Sequence, residues 1–262
     1  MPTELLERSE SGTSSQEKFG KSNRIELLDF LRGAAIVYVM LYHLLYDLIY
    51  FQGIDMPFFH TDLFEVIHKI FVGILIIVSG ICSGFSRNTV KRGAELYLMG
   101  SILTIFTDIF MHDMVFVFGA LSFFGAMMVI CGICRPLIDK INGFVLFAAG
   151  LLMYIITFDF PNGGVLHLFF TDITIPLPED AIYSYAIGIK PKGFHSSDYF
   201  PLIPNGFLYI MGAALSGIIA RGGMPRLFYG RIRVPVINFL GRHSLLFYII
   251  HQPLFMLIML AF

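Results

Sequence analysis

An arginine and a histidine stand eleven positions apart in an apolar segment of the chain. Arg32 and His43 belong to the stretch LDFLRGAAIVYVMLYH at positions 28–43. At about 100° per residue, an eleven-residue step returns to nearly the same face of a helix, and the two side chains then lie about 16 Å apart along its axis. Ionisable groups inside a membrane helix normally face the bundle interior, a water-filled path or a partner, because exposing them to lipid is costly. The spacing therefore predicts polar chemistry at two depths of one helix bundle.

The same helix face carries further polar residues at both of its ends. The predicted stripe consists of Asp29, Arg32, Ile36, Val39, His43 and Asp47. Two structural explanations compete with a functional one. Asp29 and Arg32, three residues apart, can pair and extend to the lipid headgroups, and a neutral His43 can bond a neighbouring helix. Ionisable groups at both depths favour a functional role for the stripe as a whole.

A second group of ionisable residues opens the next apolar run. The segment FFHTDLFEVIHK contains His60, Asp62, Glu65 and His68. The last apolar run adds His243 near its start and His251 and Gln252 near its middle. We expect the second group to reach the same membrane level as His43 and Asp47. Histidine suits proton transfer because its unperturbed pKa is about 6.5.

Metal binding is an alternative use of these residues. His43 and Asp47 are four residues apart on one predicted helix, and Glu65 and His68 are three apart on the next. Two such helices can hold zinc or iron. The CGIC sequence at 131–134 lies in an apolar run without a second cysteine pair or a nearby histidine, so we interpret it as helix packing. The favoured prediction contains no metal.

The elements that position these residues are predicted to be membrane-spanning helices. Apolar residues make up 56% of the 262-residue chain and charged residues 14%, which is typical of polytopic membrane proteins. A net charge of −1 offers no basic excess for nucleic acid. Seven apolar runs reach the roughly 20 residues that a span requires: 27–50, 62–85, 94–112, 115–134, 141–158, 200–220 and 236–261. The predicted fold class is all-α, a polytopic membrane helix bundle.

Lysine and arginine are concentrated in alternate connections. They precede the first run and lie between the second and third, fourth and fifth, and sixth and seventh runs. By the positive-inside rule this pattern predicts a cytoplasmic N-terminus. Residues 1–23 are mainly polar, mixed in charge and without the apolar region of a signal peptide, so we expect a disordered cytoplasmic tail. A membrane domain follows over 24–262, in which 159–199 is a long extracytoplasmic loop.

Four segments resemble a known family. They are RIELLDFLRGAAIVYVMLYHLLYDL, FFHTDLFEVIHKIFVGILIIVSGICSGFSRNTVKRG, HSSDYFPLIP and LGRHSLLFYIIHQPL, and they occur in this order over nearly the whole chain beyond residue 23. They resemble the bacterial branch of the heparan-α-glucosaminide N-acetyltransferase catalytic-domain family. The arginine and histidine of the first segment also resemble the signature of the wider membrane acyltransferases that O-acylate surface polysaccharides.

The resemblance implies an acyl-CoA-dependent membrane acyltransferase. Such an enzyme takes an acyl group, usually acetyl, from acetyl-CoA in the cytoplasm and passes it to an amino or hydroxyl group of an extracytoplasmic sugar. Arg32 matches the motif arginine and His43 the motif histidine. His60 falls closest to the essential histidine of the animal enzyme, and His68 is its rival.

The predicted site residues fall into three groups. The catalytic candidates are His60, His43 and His68. The candidates for binding the phosphates of acetyl-CoA are Arg32, Arg87, Arg92, Arg231 and Arg233. The candidates for binding the acceptor substrate are Asp47, Asp198 and His251. Ordinary topology explains the loop arginines as well, and a helix-start aspartate explains Asp198.

The expected surroundings are the cell membrane and its lipids, with an extracytoplasmic saccharide as acceptor partner and no nucleic acid. The GxxxG spacing at 80–84 fits helix packing either within one chain or in a homo-oligomer. A transporter or flippase with an intramembrane proton path is the alternative from another class. The chain shows no convincing internal repeat, which disfavours the common carrier designs.

Overall fold

The computed structural model describes residues 25–110, 116–168, 170–176, 184–191, 193–194, 196, 198–223, 232 and 234–259. Within these ranges the helices are α1 (Glu26–Tyr50), α2 (Asp62–Gly84), α3 (Thr89–Phe110), α4 (Ala120–Ile133), α5 (Arg135–Ile138), α6 (Gly143–Thr157), α7 (Leu202–Ala220), α8 (Pro235–Arg242) and α9 (Ser244–Met259). Strands β1 (Val165–Leu168) and β2 (Thr171–Thr174) form an antiparallel hairpin. The predictions for the 1–23 tail, Arg231 and Arg233 concern residues outside the described ranges.

The long helices alternate in direction, which gives the bundle two ends. We call the end at which α1 begins the inner end, and the opposite end, near the β-hairpin, the outer end. Side chains tie helix ends together at the inner end. Arg135 donates from Nη2 to the carbonyl of Gly84 over 2.7 Å, and Asn238 donates from Nδ2 to the carbonyl of Glu26 over 3.1 Å.

The all-α membrane bundle is confirmed. Five stretches are long and apolar enough to cross a membrane: Glu26–Tyr50, Asp62–Gly84, Thr89–Phe110, Gly143–Asn162 and Leu202–Ala220. The apolar helices α4 and α9 are shorter. Large apolar side chains are exposed along α3 and α6, among them Leu98, Ile102, Phe110, Phe144 and Val145. Extended exposed apolar surface of this kind marks contact with a membrane.

Helices α2 and α7 cross where two glycines meet. A Cβ placed on Gly80 would lie 3.0 Å from the Cα of Gly212, and Gly84 packs against Ser216 in the same way. Association of helices in lipid depends on such close packing, because lipid tails are as apolar as the helices themselves. The GxxxG spacing at 80–84 therefore serves packing within one chain.

The single span predicted at 236–261 is divided into two helices. Helix α8 ends at Arg242, His243 has φ −110° and ψ 23°, and α9 begins at the next residue. Helix α8 lies against the first turns of α1, where a side chain at Gly241 would collide with the carbonyl of Asp29. This contact and the Asn238 hydrogen bond hold α8 along α1, so the chain must turn before α9 can cross the bundle.

Candidate active site

A cavity of about 460 Å³ lies in the inner half of the bundle, and we call it the inner cavity. Three arginines line it: Arg32 of α1, Arg92 of α3 and Arg242 of α8. Arg92 donates from Nη1 to the hydroxyl of Ser86 over 3.4 Å. The Nε of Arg242 lies 3.8 Å from the carboxylate of Asp29. Helices α1, α3 and α8, which are far apart in the sequence, thus place their cationic groups around one cavity.

The inner cavity has the charge that a phosphorylated ligand requires. The described residues that line it include no aspartate or glutamate. Guanidinium groups bind phosphate oxygens through paired N–H donors. Of the predicted cofactor residues, Arg32 and Arg92 come together here. Arg87 is exposed on the turn between α2 and α3 and is not part of this lining.

A second cavity, of about 330 Å³, lies in the outer half, and we call it the outer cavity. His43 of α1 and His68 of α2 both line it. The polar part of its wall also includes Asp198 and Tyr199, from the segment before α7. Imidazole groups accept and donate protons near neutral pH, so this cavity suits general acid–base chemistry.

The two cavities share part of their walls. Leu75, Ala120 and Tyr248 line both. The hydroxyl of Tyr248 donates to Oδ2 of Asp198 over 2.6 Å, and the same oxygen accepts the backbone N–H of Ala120 over 3.0 Å. Burial raises the pKa of Asp198, whereas these two hydrogen bonds act to lower it. We call Tyr248 and Asp198 the partition, because they stand where the inner and outer cavities meet.

Asp198 also ties the segment before α7 to the turn before α4. Ser196 accepts the N–H of Val117 over 3.0 Å, and the N–H of Phe200 donates to the carbonyl of Phe118 over 3.0 Å. Asp198 between them is only 6% exposed. Acceptor binding by Asp198 stays a prediction, whereas the structure shows that its carboxylate holds Tyr248 and Ala120.

His60 lies apart from the two histidines of the outer cavity. It ends the 3₁₀ turn Pro57–His60 and lines a separate surface pocket of about 240 Å³. Tyr42 and His68 line both this pocket and the outer cavity, and their rings stack with centroids 3.9 Å apart. The structure therefore brings His43 and His68 together and places His60 on the exposed side of Tyr42.

Asp47 and His251, both predicted to bind substrate, are buried between α1 and α9. Asp47 is 0% exposed, and each of its carboxylate oxygens lies 3.1 Å from the donating Nε2 of Gln252. His251 is 3% exposed, and its ring centroid is 5.2 Å from that of His43. Neither residue lines the inner or the outer cavity. They pack behind the wall that His43 contributes.

Of the four residues considered for a metal site, only His43 and His68 come together, at the outer cavity. Glu65 forms an ion pair with Lys69 over 2.6 Å on an exposed surface, and Asp47 bonds Gln252 instead. Within the part of the chain that the structure describes, no three His, Cys, Asp or Glu residues are grouped to hold a metal ion. The geometry thus gives no support to the metal alternative.

The sequence did not single out Arg242 or Tyr248 as site residues. Arg242 lay inside the predicted span 236–261, of whose polar residues only His243, His251 and Gln252 were singled out. Tyr248 lies three and four residues before His251 and Gln252, the spacing of one helix face. That spacing was the available signal for Tyr248.

Comparison with known proteins gives one match. The family model described as heparan-alpha-glucosaminide N-acetyltransferase, catalytic, matches residues 24–253. The match includes α1 through most of α9 and hence the residues of both cavities. Searches of curated proteins and of solved structures each found no match.

Proposed function

The chain belongs to the heparan-alpha-glucosaminide N-acetyltransferase catalytic family, and from that premise we propose how this membrane acetyltransferase works. Acetyl-CoA binds in the inner cavity as acetyl donor. The acceptor, an amino or hydroxyl group of an extracytoplasmic saccharide, enters the outer cavity. The acetyl group crosses between the two cavities at the partition.

The shared wall of the two cavities is the observation that carries this proposal. Three arginines in one cavity suit the phosphates of coenzyme A, and two imidazoles in the other suit the acceptor's proton. Arg32 and His43 are about 16 Å apart by helix rise, a distance that an extended pantetheine arm can cover. Holding both reactants at one wall lowers the entropy cost of their reaction.

His43 is the proposed general base. The acceptor nitrogen or oxygen attacks the thioester carbonyl carbon, and its proton passes to His43. The bond between carbon and sulfur breaks, coenzyme A leaves as the thiolate, and the proton on His43 returns to that sulfur. His68 is the second imidazole within the cavity, and His60 is proposed to contact the acceptor at the surface pocket.

The inner end is proposed to face the cytoplasm. Described basic residues at this end include Arg87, Arg92, Arg135, Lys140 and Arg221, as the positive-inside rule expects. This orientation gives the inner cavity access to cytoplasmic acetyl-CoA and the outer cavity access to an external glycan. The proposed location is the cell membrane, with its lipids around the apolar faces of α3 and α6.

Ligand-dependent stability tests the donor site. A ligand that binds only the folded protein stabilises it by about 2.7 kcal/mol at one hundred times its dissociation constant. We expect acetyl-CoA to raise the unfolding temperature of the purified protein, and Arg32→Gln and Arg242→Gln to reduce that rise. Arg221→Gln, a charge change at the same end of the bundle but outside the cavity, is the matched control. Equal rises in all four proteins would contradict the proposed donor site.

Transfer of labelled acetyl tests the chemistry. The purified protein is incubated with acetyl-CoA labelled in its acetyl group and a panel of amino sugars and neutral glycans. We expect a labelled saccharide with the wild-type chain and a large loss with His43→Ala. Absence of any labelled saccharide together with absence of stabilisation by acetyl-CoA would overturn the proposed function.

A further inference from the structure

His251 is buried behind His43, and one of its ring nitrogens has no partner in the part of the chain that the structure describes. Its side chain is 3% exposed. Its Nδ1 lies 2.6 Å from the backbone carbonyl oxygen of Tyr248, whereas its Nε2 has no hydrogen-bond partner among the described residues. A buried polar atom without a partner is uncommon and needs an explanation.

The bond to Tyr248 determines which nitrogen of His251 carries the proton. A carbonyl oxygen can only accept a hydrogen bond, so Nδ1 must be the donor. In neutral imidazole the other nitrogen then has a lone pair and no hydrogen. Nε2 of His251 is therefore a buried hydrogen-bond acceptor that has no donor among the described residues.

His43 is the side chain placed to supply that donor. The two ring centroids are 5.2 Å apart and the ring planes are inclined by 52°, so a modest rotation brings an N–H of His43 within hydrogen-bond distance of Nε2. Asp47, four residues after His43, is the other acceptor that an N–H of His43 could use. Both of its carboxylate oxygens already accept from Gln252. His43 lines the outer cavity and His251 does not, so His251 reaches the reaction only through His43.

We infer that His251 is a positioning residue that selects the tautomer of His43. One nitrogen of His43 donates its hydrogen to Nε2 of His251, which leaves the lone pair of the other nitrogen directed into the outer cavity. This inference rests on the proposed function of His43 as base. When that lone pair takes the acceptor's proton, the imidazolium keeps its hydrogen bond to His251 until the proton moves to the departing sulfur. The tautomer of a histidine is set in general by the hydrogen bond that its second nitrogen makes.

Two substitutions separate positioning from packing. His251→Gln provides an amide oxygen where Nε2 stands and so keeps an acceptor for His43. His251→Asn reaches only the position of Nδ1, so it keeps a donor for the Tyr248 carbonyl but offers His43 nothing. Both are polar and of similar size, so a purely structural role predicts similar effects. His167→Gln, in the outer hairpin, is the matched control for loss of a histidine.

Nuclear magnetic resonance of the ¹⁵N-labelled histidines in the full chain, held in nanodiscs, reads the tautomer without any need for activity. The chain has eight histidines, so single substitutions assign the signals. We expect His43 to show one neutral tautomer in the wild-type chain and in His251→Gln, and a mixture in His251→Asn. An identical His43 tautomer population in all three proteins would overturn the inference.

Acetyl transfer by the same proteins gives the second readout. Loss of the partner that orients a metal-bound histidine typically costs about 10- to 100-fold in activity, and we take the same range for His43. We expect that loss in kcat for His251→Asn, with KM for acetyl-CoA unchanged, and a value near wild type for His251→Gln and His167→Gln. Equal kcat values for the two His251 variants would count against positioning. If the wild-type chain transfers no acetyl group, the proposed function fails, and the resonance measurement still decides whether His251 controls the tautomer.

Discussion

The hydroxyl of Tyr248 and the carboxylate of Asp198 join the last helix to the segment before α7. Their distance of 2.6 Å is typical of a hydroxyl that donates to a charged carboxylate. Asp198 also accepts from Ala120, so one carboxylate oxygen holds α4, α9 and an outer segment together. Because Tyr248 lines both cavities, this contact helps to determine the geometry of the site.

Replacing Tyr248 by phenylalanine is predicted to destabilise the protein by about 1–3 kcal/mol, because a buried carboxylate loses a hydrogen-bond donor. Asp198→Asn added to this variant should restore part of the loss, because a neutral amide is less costly to bury than an underpaired charge. Thermal unfolding in detergent measures both variants. Tyr199→Phe, which removes a hydroxyl that bonds the carbonyl of Tyr185, is the control. Additive losses in the double variant would contradict the coupling.

The sequence indicated which residue types line the candidate site, but it did not determine which of these residues share a cavity. The spacing of Arg32 and His43 correctly put both on the inward face of α1, because helix periodicity alone determines that result. The choice between His60 and His68 was not determined. It depends on where α2 begins and on how the ring of Tyr42 packs, and both are tertiary features. Arg87 and Arg92 looked equivalent, yet only the latter lies on the face of α3 that lines the inner cavity.

At the scale of the elements, α2 and α7 are locked by their crossing at Gly80 and Gly212. Gly212→Ala is predicted to destabilise the protein by about 1–3 kcal/mol, because its Cβ would meet the backbone carbonyl of Ile77, which cannot move aside. Gly217→Ala on the same helix has no atom within 4 Å of its Cβ, and it should be neutral or stabilise by up to about 1 kcal/mol. Unfolding midpoints of the two variants compare them directly. A loss for Gly217→Ala as large as that for Gly212→Ala would refute the role of the crossing.

The β-hairpin at the outer end is held by a histidine between two carboxylates. His167 lies 2.9 Å from Asp172 through Nδ1 and 2.8 Å from Asp159 through Nε2. Two acceptors on two ring nitrogens require both to carry hydrogen, so the hydrogen bonds to Asp159 and Asp172 raise the pKa of His167. The contact joins the hairpin to the end of α6, and its strength should depend on pH.

The hairpin is predicted to loosen as pH rises. The folded pKa of His167 is above the unfolded value of about 6.5, so the stabilisation is complete below that pH and is lost as pH rises through the folded pKa. Hydrogen exchange of β1 and β2, corrected for the intrinsic effect of pH, should therefore speed up across this window in the wild-type chain. His167→Gln should show no such change. The same pH dependence in the variant would show that another group is responsible.

The positions of the helices could be predicted from apolar run length, but the break at His243 could not. The segments on either side of it are apolar and together suit the length of a single span, so the polar residues Arg242, His243 and Ser244 did not by themselves predict a break, and no proline or glycine pair stands there. The turn arises because α8 packs on α1 through Gly241 and Asn238. A contact between the two termini of a chain leaves no periodic signal in either segment.

For the whole molecule, the proposed function requires that the inner cavity opens to the cytoplasm. Cys82 lines that cavity, and its thiol can report on access from each side. The chain has three cysteines, so Cys131→Ala combined with Cys134→Ser leaves Cys82 as the only target. Its labelling therefore tests orientation and donor binding in one experiment.

In sealed vesicles of known orientation, a membrane-impermeant maleimide is predicted to label Cys82 from the cytoplasmic side only. Acetyl-CoA should slow that labelling several-fold, because the donor and the reagent would occupy the same space, while a free saccharide should leave the rate unchanged. Adding Cys82→Ser provides the blank. Labelling from the extracytoplasmic side would contradict the proposed orientation. Labelling from the cytoplasmic side at a rate that acetyl-CoA does not slow would support the orientation and contradict binding of acetyl-CoA in the inner cavity. The experiment therefore tests the orientation of the bundle and the ligand of its arginines independently.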